Sequence, residues 1–130
     1  MSAPVTTSSR PVYLDLLRIR LTVTAAASVL HRITGVLLSL SIPAVLWLLQ
    51  RSLSGPDGYQ QVLGLAHSVA LRLIGALLLW ALLHHLIAGV RFLLLDLKIG
   101  IGLRPARAGA WAVNIASLLI FLVLLGLAIL

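Results

Sequence analysis

Three long stretches of this chain carry no charge. Ile33 to Gln50 lies between Arg32 and Arg51, Leu73 to Val90 lies between Arg72 and Arg91, and Ala108 to Leu130 follows Arg107. The first two are 18 residues long and the third is 23. Eighteen helical residues reach about 27 Å, close to the hydrocarbon thickness of a bilayer. Composition agrees: 61% of the 130 residues are hydrophobic and only 10% are charged, against roughly 25% charged in a soluble domain. The sequence predicts an all-α membrane protein with three transmembrane helices, over about 29–50, 65–93 and 108–130. These form one membrane domain, 25–130, behind an N-terminal tail and surface segment, 1–24.

Basic residues set the orientation. The region through Arg32 carries four (Arg10, Arg18, Arg20, Arg32), and the connection from Arg91 to Arg107 carries four (Arg91, Lys98, Arg104, Arg107). The connection between the first two spans carries only Arg51 and Arg72. By the positive-inside rule the N-terminus faces the cytoplasm. The net charge of +7 is thereby assigned to membrane topology and lipid, not to nucleic acid.

The connecting pieces are readable in outline. Met1 to Ser9 has no basic n-region or apolar h-region, so it reads as a disordered tail and not a signal peptide. Arg10 to Thr24 mixes Asp15, Arg18 and Arg20 with apolar residues and is too charged to span; it suits the membrane surface or a soluble partner. Pro43 predicts a kink in the first span. Ser52 to Gly58 is a turn by composition, and Tyr59 to Arg72 is amphipathic, either an interfacial helix or the entry to the second span. Phe92 to Arg107 reads as a basic loop, and its Gly100-x-Gly102 lacks the strand and third glycine of a dinucleotide fingerprint.

Two polar clusters interrupt the apolar pattern. His84 and His85 lie inside the second span, and Ser28, His31 and Arg32 stand at the start of the first. Ionisable groups at membrane depth are costly and mark function. The chain has no cysteine, so a cofactor would be held by its four His or three acidic residues. A neutral imidazole facing a bundle cavity suits an axial ligand of haem iron, and propionates want basic partners near water. Arg32 and His31 are placed for the propionates. Ala81, Ala88 and Gly89 offer small residues that let a macrocycle or a helix approach. His84 points about 100° from His85 and shares a face with Arg91. Counting inward from Arg32 and Arg91 places His85 about 9 Å deeper than Arg91. On that count His31 and His85 lie at different depths, which argues against their ligating one haem and points to a second ligand from another chain. Each histidine has a plainer reading as an interhelical hydrogen bonder. Arg51 and Arg72 read as snorkelling anchors, Asp96 as an ion-pair partner of Arg91 or Lys98, and Ser28 as a helix cap.

The chain resembles the cytochrome b membrane-anchor subunit of succinate dehydrogenase. The resemblance rests on Arg10-Pro11 with Leu14-Asp15-Leu16, on Ser28-Val-Leu-His31-Arg32-Ile-Thr-Gly35, and on His85-x-x-x-Gly89-Val-Arg91 with Asp96. It implies half of a heterodimeric haem-binding helix bundle in the bacterial inner membrane. The implied partners are a second membrane-anchor subunit, an iron–sulfur subunit and a flavoprotein subunit. It implies a haem b shared with the second anchor and ligated here by His85, with His31 and Arg32 toward the propionates. It further implies ubiquinone as substrate, at a site lined by Ser28 and Arg32. Phe92 stands where the family often has His, and Leu21 to Thr24 lacks the family's usual proline. Electrons would pass from succinate through the iron–sulfur subunit to quinone, or in reverse toward fumarate. A haem-free structural or transport bundle is the alternative from another class.

Overall fold

The computed structural model describes residues 21–129, so the expected disordered tail and the surface segment through Arg20 lie outside the described residues. Among the described residues the chain is all helix: α1 (Val23–Ser52), α2 (Pro56–Ala66), α3 (Val69–Asp96) and α4 (Leu103–Ile129). By length and apolar composition, α1, α3 and α4 can each cross a bilayer. α3 packs against both α1 and α4, which also touch each other.

Each long helix runs past its uncharged core, for local reasons. α1 starts at Val23 because Thr22 caps it, its side chain accepting from the Ala25 amide at 3.4 Å. Ser28 therefore lies within the helix and is not its cap. α1 continues unbroken through Pro43. The amphipathic segment divides: α2 ends at Ala66, and Ser68 caps α3 by accepting from Leu71 N at 3.3 Å. The helix that carries the second uncharged run thus begins at Val69. Arg51 and Arg72, expected as simple anchors, also tie this corner together. Arg51 donates twice to Gln61 Oε1, and Arg72 donates to His67 Nδ1 at 3.1 Å and to Ala66 O at 3.4 Å.

The expected loop from Phe92 to Arg107 is mostly helix. α3 runs to Asp96 and closes in a Schellman turn, with Ile99 N bonded to Leu94 O and Lys98 N to Leu95 O, both at 2.9 Å. Lys98 takes the left-handed position, φ 61°. α4 begins at Leu103, so Pro105 falls in its first turn, where a missing N–H costs no helix bond. Basic residues misled the loop assignment because a helix end at the headgroup level tolerates charge as well as a loop does.

The interior is small and partly polar, and the bulky side chains face outward. Among the described residues, the buried ones on the three long helices are Ala27 and Thr34 on α1, Ala81, His84 and Ala88 on α3, and Ala110, Val113 and Ser117 on α4. Large leucines, isoleucines and valines on all three long helices are exposed. In lipid no hydrophobic effect drives helices together, so close van der Waals approach and interhelical hydrogen bonds must do so. Ala81 and Ala88 lie between the His84 and His85 faces, within a turn of both, and their small side chains let the neighbouring helices come close.

Ala81→Leu should force α3 away from its neighbours and cost about 1–3 kcal/mol. The thermal midpoint of the detergent-solubilised protein measures this, and an unchanged midpoint would contradict the close packing.

Candidate functional site

α3 presents two stripes to its neighbours. One holds His85, Gly89 and Phe92 and faces α1. The other holds His84 and Arg91 and faces α4, with buried Ala81 and Ala88 between the two. The spacing of three, four and seven makes each a helical face. On the α4 side, His84 Nε2 lies 3.1 Å from Asn114 Oδ1, and Arg91 donates to Ala106 O at 3.1 Å. His84 and Arg91 share a face, as their spacing predicts.

On the α1 side the two clusters meet. The rings of His31 and His85 stack with centroids 4.1 Å apart and planes 6° from parallel. The expected depth mismatch is therefore wrong. A Cβ on Gly35 would fall 2.9 Å from His85 Cε1, and one on Gly89 would lie 3.7 Å from His31 Nε2. These contacts set an antiparallel register in which Arg32 lies opposite residues near 87–88, about one turn deeper than counting from Arg91 implies. Two parallel rings at this spacing hold their nitrogen lone pairs in separate planes, so the pair as it stands is not arranged as two ligands of one iron.

His85 has a defined tautomer. Its Nδ1 lies 3.1 Å from His31 O and 3.4 Å from Thr34 Oγ1. The Thr34 hydroxyl is already directed at Leu30 O (2.9 Å) and His31 O (3.0 Å), so Thr34 has no proton to offer the ring. Nδ1 therefore carries the hydrogen and donates to His31 O, leaving Nε2 as the bare nitrogen. A histidine whose one N–H is held by a carbonyl is oriented to ligate through the other nitrogen. Phe92 packs against His31 with centroids 5.1 Å apart and closes the stack from the helix end.

His85 also forms one end of an open groove of about 580 Å³ between α1 and α3. Gly35, Ser39, Ile42 and Leu46 line it from α1, and Leu82 from α3. The α1 lining continues the stripe Ser28, Arg32, Gly35, Ser39, at alternating spacings of four and three. Arg32 is exposed and Ser28 half-buried. The structure thus brings His31 onto His85, and it places Ser28 and Arg32 on the helical face that leads to the groove. It brings no contact between that pair and His85. Sequence reasoning assigned no role to Thr34, Gly35 or Asn114. The first two are legible in retrospect, because residues three and four after His31 share its face. Asn114 carried the signal of a lone amide in an apolar span and went unused.

A histidine with one free nitrogen at the edge of an open lateral groove suits an axial ligand whose group is completed from outside the chain. Among the described residues no three candidate metal ligands cluster. The sequence model of the succinate dehydrogenase/fumarate reductase transmembrane subunit family matches residues 6–124. The chain belongs to this family. It is similar to the succinate dehydrogenase cytochrome b556 subunit of Coxiella burnetii (strain RSA 493 / Nine Mile phase I), at 33% identity over 85% of this chain and 89% of that one. It is also similar to the subunit of the same name from Paracoccus denitrificans, at 30% identity over 93% of this chain and 98% of that one. A third relative of that name, from Rickettsia felis (strain ATCC VR-1525 / URRWXCal2), is 27% identical over 90% of this chain and 91% of its own. Membership and the three apolar helices make the chain a multi-pass protein of the bacterial inner membrane and a subunit of an oxidoreductase complex.

Gly35→Ala puts a methyl group against the His85 ring and should destabilise the solubilised protein by about 1–3 kcal/mol. A Gly35→Leu variant with an unaltered thermal midpoint would show that the ring has room to move.

Proposed function

We propose that this chain is the haem b- and ubiquinone-binding membrane anchor of a succinate:quinone oxidoreductase. One observation carries the reading: His85 Nδ1 is committed to His31 O, which leaves Nε2 bare on a ring that lines an open groove. The relatives are cytochrome b556 subunits by name, which supports a haem of the b type. His85 would supply one axial ligand from this chain and a second anchor subunit the other. His31 and Arg32 would stand toward the propionates. Bound there, a haem b supplies a one-electron carrier beside the quinone path. An iron–sulfur subunit and a flavoprotein subunit would deliver the electrons of succinate oxidation, with fumarate reduction as the reverse of the same path.

The quinone work falls to residues at the entrance of α1. Ubiquinone gains two electrons and two protons to become the quinol. Its carbonyl oxygens become more basic as electrons arrive, so they need donors in place. Ser28 and Arg32 lie one turn apart on one face of α1, four residues from each other. Ser28 Oγ–H would donate to a carbonyl oxygen. The Arg32 guanidinium stays charged and would stabilise negative charge growing on the oxygen. The exposed apolar flank of α1 leaves lipid access for an isoprenoid tail. Arg32, Arg91, Lys98, Arg104 and Arg107 crowd the end of the bundle that holds the α1 N-terminus, which supports a cytoplasmic N-terminus. Residues 25–130 would then form the membrane domain, with 1–24 at the surface beside the soluble subunits.

His85→Ala in the purified complex should abolish the b-type signal in a reduced-minus-oxidised spectrum. A persistent signal would sink the ligand assignment, and none in the wild type would favour a haem-free bundle. Arg32→Ala should lower quinone reductase activity by about ten- to a hundredfold, the value of a hydrogen bond from a charged donor. Succinate oxidation by an artificial soluble acceptor should survive in that variant, and normal quinone reduction would overturn the site.

A further inference from the structure

The two adjacent histidines of α3 are tied to different helices. His85 is held by α1 through His31 O. His84 is held by α4, where Oδ1 of Asn114 can only accept, so Nε2–H of His84 donates to it at 3.1 Å. His84 is 1% exposed, and its Nδ1 is buried without a hydrogen-bond partner. Trp80 tilts against the ring, with centroids 5.7 Å apart. Wholly buried Ser117, one turn further along α4, donates to the main-chain carbonyl of Asn114 at 3.1 Å.

This pair is a poor choice for stability alone. A buried polar nitrogen with no partner is costly, and an apolar side chain would fill the same space without that cost. Its position suggests what it does. Successive helical residues point 100° apart, so bonds from residues 84 and 85 restrain α3 in two directions at once. A side-chain atom sits about 5–6 Å from the helix axis, so a 10° rotation of α3 would carry it about 1 Å. Sites that bind cofactors need their groups held to within about 0.5 Å.

We infer that His84 and Asn114 are positioning residues: their bond fixes the rotation of α3 and thereby aims His85 Nε2 into the groove. The inference rests on the proposed reading of His85 as a haem ligand. Neither residue touches the cofactor or the quinone, and both act through His85.

The test uses the purified, fully assembled complex and reads haem occupancy, haem midpoint potential and low-spin g values. The variants are His84→Leu, Asn114→Leu, His84→Gln and the exchanged pair His84→Asn with Asn114→His. The two leucine variants should lose half or more of the haem, or hold it with shifted potential and g values. His84→Gln keeps an N–H at a similar reach and should behave as wild type, and the exchanged pair should recover much of what either leucine removes. Wild-type occupancy, potential and g values in both leucine variants would overturn the clamp. Should the leucine variants fail to assemble, the other two decide. Assembled His84→Gln and exchanged-pair complexes with disturbed haem signals would overturn it as well. His85→Ala run in parallel keeps the two ideas apart. Haem lost there but undisturbed in the leucine variants sinks the clamp alone, whereas haem retained there sinks the ligand reading beneath it.

Discussion

The structure depends on how closely three helices can approach where water gives no help. Within lipid a leucine gains nothing by touching another leucine, so contact must come from shape and from hydrogen bonds. The chain meets this with small residues at each crossing: Gly35 under His85, Gly89 beside His31, Gly109 under Arg91, and buried Ala81, Ala88 and Ala110. These glycines and alanines leave room for the larger polar groups that bridge the helices. Each histidine of the pair on α3 reaches across to a different neighbour because small residues let it.

The site is a product of the same packing. An interhelical hydrogen bond in a membrane protein is worth about 0.6 kcal/mol on average, too little to hold a bundle together singly. The bond from His85 to His31 O matters more for direction than for strength. It commits the one hydrogen of the imidazole to a carbonyl of α1 and leaves the other nitrogen of this groove-lining ring without a partner. The parallel ring of His31 limits how far His85 can tilt, and Phe92 backs that ring. The groove itself is open to the outside of the bundle.

The sequence alone determined the class of the protein. Uncharged runs of 18 and 23 residues leave few options but membrane helices, and the arginines beside them mark the ends. It also singled out Ser28, His31, Arg32 and His85, because polar groups in an apolar helix are few and each needs a reason to be there. Helix ends were less legible. Thr22, Ser68 and the Schellman turn at Lys98 decided them, and these are local hydrogen bonds that hydropathy does not register.

Tertiary structure decided what faces what. Adjacent histidines look equivalent in sequence, yet His84 is sealed against Asn114 while His85 meets His31 and the groove. Depth counted from flanking arginines missed by about one turn, because flexible cationic side chains reach the surface from a range of depths. Register is set by steric fit between helices, at Gly35 and Gly89, and that fit involves residues some fifty positions apart. Sequence spacing fixes which residues share a face; only the packed bundle fixes which neighbour that face meets.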